Sequence, residues 1–229
     1  MFSATNTRFD ALAYNALAKG MAVLSSRIAA AGITADGASG CEREVELKFK
    51  QMKEDKLIRL LYLLGDCGEP TRTYTTDFFV GDKRLTVDHA KVDKYAQMTC
   101  MVKQRFGDAD DAPSGTRLSC NVEQSSVPTA ADAVEVHNAT YSRCKRRSSW
   151  RLMDGPYSLQ VDLTIVSSKK RGEVAVASYE AEVEINGDLF EREGIEFASV
   201  VVANMLLAVH SKPGSGPIRN ERKKRRRDA

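Results

Sequence analysis

Residues 41–50 read CEREVELKFK, with Val45, Leu47 and Phe49 alternating against Glu44, Glu46 and Lys48. Successive side chains of a strand point to opposite faces, so this period-two pattern predicts a strand with one apolar and one charged face. The stretch ASYEAEVEIN near the other end repeats it, with Ala181, Val183 and Ile185 set against Glu180, Glu182 and Glu184. Between them TRTYTTDFFV, KRLTVDH, KYAQMTCMVKQRF, TRLSCNVEQS, SRCKRRSSWRLM and YSLQVDLTIVS alternate or are rich in β-formers. Turn-like VGDK, GDADDAPSG and MDGP separate several of them. Apolar residues at helical spacing predict a helix over 7–31, a second over KEDKLIRLLYLLGD and a third over 195–211, with GITADGASG as a loop after the first. Many strands with helices at the ends predict an α+β domain around a large curved or closed sheet.

The charged rows narrow that picture. Any one of them reads as the solvated face of a half-exposed strand. Glu is a poor strand former, however, and like charges opposed across strands repel. Strand parity also places Lys145 with Arg147, Gln160 with Asp162 and Thr164, and Glu123 beside apolar and small residues. Carboxylates on two strands and cations on others are accommodated by a closed barrel with a charged interior, its apolar faces turned outward under the helices.

Composition sets the limits. The 229 residues suit one domain with short tails. No apolar run is long enough for a transmembrane helix, and the start of the chain lacks a signal-peptide pattern, so no membrane partner is expected. Five scattered cysteines without a CxxC pair fit a reduced nuclear or cytosolic compartment and no zinc site. The net charge of +3 is uneven: residues 219–229, RNERKKRRRDA, hold seven basic residues against two acidic ones, a surplus of five that leaves the rest near −2. The body is thus no general nucleic-acid binder. A catalytic domain over 1–212 and a flexible basic tail over 213–229 follow, the tail reading as a nuclear import signal in preference to a phosphate-binding arm. His89, His137 and His210 are isolated, and Trp150 has the parity of outer-wall packing. There is no GxxxxGK[ST] loop and no HCxxxxxR phosphatase signature.

A charged interior of this kind has a chemical use. Hard divalent cations such as Mg²⁺ and Mn²⁺ take oxygen ligands. Lys and Arg pair with phosphate oxygens. A polyphosphate bridges the two sets in a place where unpaired charge is costly. With Glu44-x-Glu46-x-Lys48, Arg84 in KRLTVD, Glu123 in LSCNVEQSSVP, Lys145-x-Arg147, Asp162-x-Thr164 and Glu180-x-Glu182-x-Glu184 in this order, the chain resembles the fungal and protozoan type of mRNA-capping RNA triphosphatase, a branch of the triphosphate tunnel metalloenzymes. The resemblance covers roughly residues 42–186; Gln160 stands where the family usually has Arg.

The resemblance implies a closed antiparallel eight-stranded barrel and metal-dependent hydrolysis of the γ-phosphate of nascent RNA 5′-triphosphate ends to 5′-diphosphate, the first step of mRNA capping. It implies Mg²⁺ or Mn²⁺ on Glu44, Glu46 and Glu184, with phosphates held by Arg84, Lys145, Arg147 and Lys48. Glu123, ranked first, or Glu182 would orient the attacking water, and Asp162, Thr164, Glu180 and Gln160 would support the basic side chains. A guanylyltransferase is the protein partner it suggests; monomer and homodimer stay open. The alternatives are an inorganic tripolyphosphatase or another organic triphosphate hydrolase of the same fold, and a barrel that binds RNA ends without turnover.

Overall fold

The computed structural model describes residues 7–30, 41–90, 98–152, 158–186 and 192–210. Its elements are α1 (Thr7–Ala30), β1 (Cys41–Phe49), α2 (Glu54–Leu64), β2 (Thr71–Val80), β3 (Lys83–Asp88), β4 (Met98–Asp111), β5 (Thr116–Ser126), α3 (Ala130–Asn138), β6 (Tyr141–Arg151), β7 (Ser158–Lys170), β8 (Val176–Asn186) and α4 (Arg192–His210). The eight strands close into a barrel in the order β1-β5-β4-β3-β2-β6-β7-β8, every pair antiparallel.

Strand parity decides what each face does. Val45, Leu47 and Phe49 of β1, Leu118 of β5, Val161 and Leu163 of β7, and Val183 and Ile185 of β8 point outward. They are buried under Leu17 and Leu24 of α1, Leu57, Leu60 and Leu64 of α2, and Val202, Met205 and Leu206 of α4. The apolar core therefore lies between the barrel wall and the helices, and the barrel interior is left to the charged rows. Trp150 belongs to this outer wall and donates its indole N–H to the Gly68 carbonyl at 3.1 Å.

The helix α1 sits very close to the wall at Gly20. A Cβ built there would come within 2.8 Å of Leu118 Cδ2 and 3.0 Å of its Cβ. Gly20→Ala thus sets a helix-propensity gain of about 1 kcal/mol against an overpacking cost of about 1–3 kcal/mol. Denaturant unfolding should show the variant equal to or less stable than wild type, by up to about 2 kcal/mol. A clear gain in stability would mean that α1 does not pack this closely.

Two elements differ from the sequence reading. GDADDAPSG reads as a turn in the sequence, but β4 continues through Asp111 and the reversal begins at Ala112. A bulge between Arg105 and Gly107 admits the extra residue, and the aspartates that weaken the strand are paired: Asp108 accepts from Ser119 at 2.8 Å, and Asp110 meets Arg117 at 2.7 Å and Lys50 at 2.6 Å. The helix α3 was not foreseen. Thr129 and Asp132 form a capping box at its start, and Asp132 also meets Lys83 of β3 at 2.9 Å. The two outer helices have the expected positions, α4 beginning three residues earlier than expected. The 32–40 loop, MDGP and the tail 213–229 lie outside the described residues. Among the described residues no helix is long and apolar enough to cross a membrane.

Candidate active site

The interior begins with β1. Glu44, Glu46 and Lys48 face inward, and Glu46 and Lys48 stand opposite Glu184 and Glu182 of β8. Lys48 lies 3.1 Å from Glu46 and 2.7 Å from Glu182. Burial opposes its charge, yet the two carboxylates hold its pKa above the usual lysine value. Glu182 is held below the usual carboxylate value in the same way, burial being outweighed by Lys48 and Arg147.

Glu184 is different. It makes no hydrogen bond or ion pair among the described residues. Burial, then the nearby charges of Glu44 and Asp162, push its carboxyl up to about 7. Like charges gathered without enough counter-charge produce this shift.

The facing wall supplies cations. Lys145 of β6 is buried and meets Asp77 of β2 at 2.5 Å. Burial, assisted by Arg143 and Arg147, holds the Lys145 ammonium below its usual value despite Asp77. Arg147 lies 3.0 Å from Asp162 and 4.0 Å from Glu182. Gln160 donates to Asp162 at 3.2 Å and fixes its carboxylate from the other side. Glu180 pairs with Arg143, one rung further along β6. Arg84 of β3 reaches Glu123 at 3.6 Å and touches the Met101 sulfur, while its Nε is buried without a partner. The Thr164 hydroxyl is likewise buried and unpaired. Buried polar atoms without a partner call for an explanation, and a ligand bound beside these inward-facing strands supplies one.

The inward residues expected from the sequence are thus gathered in one tunnel. Four others were not anticipated. Lys103 of β4 sits among three carboxylates: it contacts Glu44 Oε2, Glu123 at 3.0 Å and Glu46 at 3.5 Å. Burial opposes its charge, but Glu46, Glu44 and Glu123 push its pKa far above the usual value. Asn121 of β5 donates to Glu46 at 3.2 Å and to Glu44 at 3.4 Å. Asp77 and Arg143 are the partners of Lys145 and Glu180. The signal for all four was parity alone: Arg143 continues the inward row of Lys145 and Arg147, Asn121 stands two residues before Glu123, and Lys103 and Asp77 lie on the inward faces of β4 and β2.

A sequence model described as mRNA capping enzyme, beta chain, matches residues 81–197, just over half of the chain. The chain belongs to this family. The matched stretch holds every inward residue from Arg84 to Glu184; the β1 trio and Asp77 precede it. The S. pombe Pct1 RNA triphosphatase has a similar structure, with a TM-score of 0.54 at 15% identity over 82% of this chain and 90% of that one. Pct1 in complex with the Spt5 CTD gives a TM-score of 0.52 at the same identity and coverage. At this identity the likeness is one of fold, and it gives the capping-family chain the triphosphate tunnel architecture. No curated protein matches the chain in sequence.

Do the tunnel residues of this capping-family chain suit a divalent cation? Among the described residues, no three His, Cys, Asp or Glu side chains are set to hold a metal ion as they stand. The reason is visible: the Lys103 ammonium sits among Glu44, Glu46 and Glu123. The donor chemistry fits nonetheless. Glu44, Glu46 and Glu184 offer hard oxygens from two adjacent strands, and Glu184 has no ion-pair partner among the described residues.

Proposed function

We propose that the chain is a metal-dependent RNA 5′-triphosphatase that removes the γ-phosphate of nascent RNA in the first step of mRNA capping. The observation that carries this reading is the division of one tunnel into a carboxylate side short of positive charge, at Glu184, and a cation side holding Lys145 and Arg147. A triphosphate with a divalent cation neutralises both sides. Membership of the mRNA capping beta-chain family supports RNA as the substrate.

In this reading Glu44, Glu46 and Glu184 hold Mg²⁺ or Mn²⁺. The bound ion supplies Lewis-acid polarisation of phosphoryl oxygens and screens charge. Lys145, Arg147 and Arg84 hold the phosphates, Arg147 with a fork kept in orientation by Asp162. A phosphate beside Lys145 restores the charge that burial disfavours. Lys48 and Lys103, each shared between carboxylates, turn toward the incoming phosphates and neutralise charge on the transferring group. Glu123 orients the water in preference to Glu182. Glu182 is held ionised by Lys48 and Arg147, and so makes the weaker base. Thr164, Glu180 and Gln160 support Arg143, Asp162 and the phosphates from the β7–β8 side.

The test is phosphate release from a triphosphate-ended RNA with Mg²⁺ or Mn²⁺, run beside free tripolyphosphate. The reading expects RNA to be hydrolysed to a diphosphate end, and release to stop on chelation. Hydrolysis of tripolyphosphate alone would make the chain an inorganic triphosphatase. Tight binding of RNA ends without release would make it a binding barrel.

The tail is assigned to nuclear import. Deleting residues 221–229 should leave phosphate release intact, because the tunnel residues lie upstream, and lower nuclear accumulation of a fluorescent fusion. Loss of RNA hydrolysis with retained hydrolysis of small triphosphates would make the tail a substrate-binding arm instead. A guanylyltransferase, and a CTD peptide of the kind that Pct1 binds, are the partners assigned by this reading. Co-purification with either supports the assignment, and its failure with both removes it.

A further inference from the structure

One mouth of the barrel is built by the β2–β3, β4–β5 and β7–β8 reversals together with the start of β6 and the end of β1. On the inward face of β6, Arg147, Lys145 and Arg143 follow one another every second residue toward this mouth, spaced roughly 7 Å apart. The row does not stop at the strand end. Tyr141 and Ser142 pair with Lys170 and Lys169 of β7, and Arg171 begins the β7–β8 turn, its N–H bonded to the Thr140 carbonyl. Lys170 shares the parity of Asp162 and Thr164, so it stands on the inward side of its strand at the rim. Lys169, Lys170 and Arg171 are exposed and make no ion pair among the described residues.

The acids nearby do not silence these three. Glu180 is taken up by Arg143. On the opposite wall Asp108 and Asp110 are taken up by Arg117, Arg105 and Lys50. Glu173 follows in the same turn, its backbone N–H bonded to the Lys170 carbonyl, and its carboxylate makes no ion pair among the described residues. Three cations against one carboxylate leave the β7–β8 turn positive, while Asp82 and Asp111 lie at the other two reversals of this mouth. At the same end of the barrel a cavity of about 470 Å³ is lined by Lys48, Phe49, Gln51, Arg117, Ala181 and Glu182, where the end of β1 meets β8.

We propose that the RNA chain following the 5′-triphosphate leaves the tunnel through this mouth, its first backbone phosphates held by Lys169, Lys170 and Arg171. The inference rests on the reading of the chain as an RNA triphosphatase and adds the direction in which the RNA lies. Continuity is what favours RNA here: Lys170, on the inward side of the rim, extends the row that holds the triphosphate, Lys169 on the outward parity and Arg171 in the turn flank it, and a polyanion anchored at Lys145 and Arg147 meets this rim if it exits on this side.

The experiment compares wild type with Lys169→Ala/Lys170→Ala/Arg171→Ala, and with Arg151→Ala at the opposite mouth, on a 20-nucleotide triphosphate-ended RNA and on tripolyphosphate. The rim variant should raise KM for RNA about tenfold, with kcat and the tripolyphosphate KM within about twofold of wild type. Plotted as log KM against log salt, its slope should be shallower by roughly 2, because three single-strand phosphate contacts at about 0.7 each are lost. Arg151→Ala should match wild type. Unchanged RNA KM and slope in the rim variant, an equal loss on tripolyphosphate, or a larger effect of Arg151→Ala would each overturn the proposal while leaving the RNA triphosphatase reading in place. Wild-type protein that hydrolyses tripolyphosphate but not RNA would remove both.

Discussion

Glu44→Ala, Glu46→Ala and Glu184→Ala should each abolish phosphate release while leaving the barrel folded. A metal ion contributes several kcal/mol of charge stabilisation in the transition state, and each 1.36 kcal/mol is tenfold in rate, so losses on the order of 10³-fold are expected. The fold should survive for a reason particular to this tunnel. Glu184 is half-buried near Glu44 and Asp162 with no hydrogen bond or ion pair among the described residues, so removing its charge relieves repulsion. Glu44 and Glu46 share Lys103 and Asn121, and either carboxylate alone still serves those donors. Thermal unfolding supplies a second readout. Wild type should gain about 2.7 kcal/mol with Mn²⁺ at a hundred times its Kd, and the three variants should lose most of that gain. Near-normal turnover in all three, or an undiminished Mn²⁺ stabilisation, would refute the metal assignment.

The second large effect separates neighbours on β6. Lys145→Ala and Arg147→Ala should each lower kcat/KM by roughly 10²–10³, the worth of one charge-assisted donor in a confined site. Arg146→Ala should be close to silent. Lys145 is buried against Asp77, and Arg147 is held by Asp162. Arg146 pairs across the strand with Tyr74 and is exposed, its guanidinium 5.7 Å from the Tyr74 ring. Losing that contact costs no more than about 1 kcal/mol. Lys145→Ala carries an additional consequence, because it leaves Asp77 as a buried charge without its cation, a loss of roughly 3–5 kcal/mol in stability. Its kinetics should therefore be measured well below its unfolding midpoint. Arg147→Lys keeps the charge but loses the fork, so partial activity is expected. Equal losses at all three positions would mean that the β6 parity is wrong, and a loss only at Arg146 would turn the strand inside out.

Why were the inward carboxylates so legible? On β1 and β8 strict alternation runs over three residue pairs, and a one-residue slip would turn three carboxylates into the core under α1, α2 and α4. Lys145, Arg147, Asp162 and Thr164 carried the same parity signal. Arg84 was placed from a loose segment, yet β3 does turn it toward Glu123. Lys103, Asn121, Asp77 and Arg143 fall outside the quoted motifs, although Arg143 and Asn121 share an inward face with Lys145 and Glu123. Their importance comes from partners 37 to 77 residues away in the sequence, Lys145 and Asp77 among them. No local pattern records such a pairing. The extension of β4 was hidden for a related reason. Gly107, Asp108, Asp110 and Asp111 are poor strand formers, and only the bulge and the cross-strand cations Arg117 and Lys50 make them tolerable there. The helix α3 did have a local signature, the Thr129–Asp132 capping box, which the neighbouring turn-like residues obscured.

The central claim is that one tunnel brings a divalent cation and a triphosphate together between β1/β8 carboxylates and β6 cations. A crystal of the protein grown with MnCl₂ and tripolyphosphate, with anomalous data collected at the manganese edge, tests it most directly. The account predicts one manganese peak coordinated by Glu44, Glu46 and Glu184, with a terminal phosphate on the ion contacting Lys145 or Arg147. An ordered tripolyphosphate bound outside the barrel, or manganese bound away from these three carboxylates while the tunnel stays free of phosphate, would contradict it.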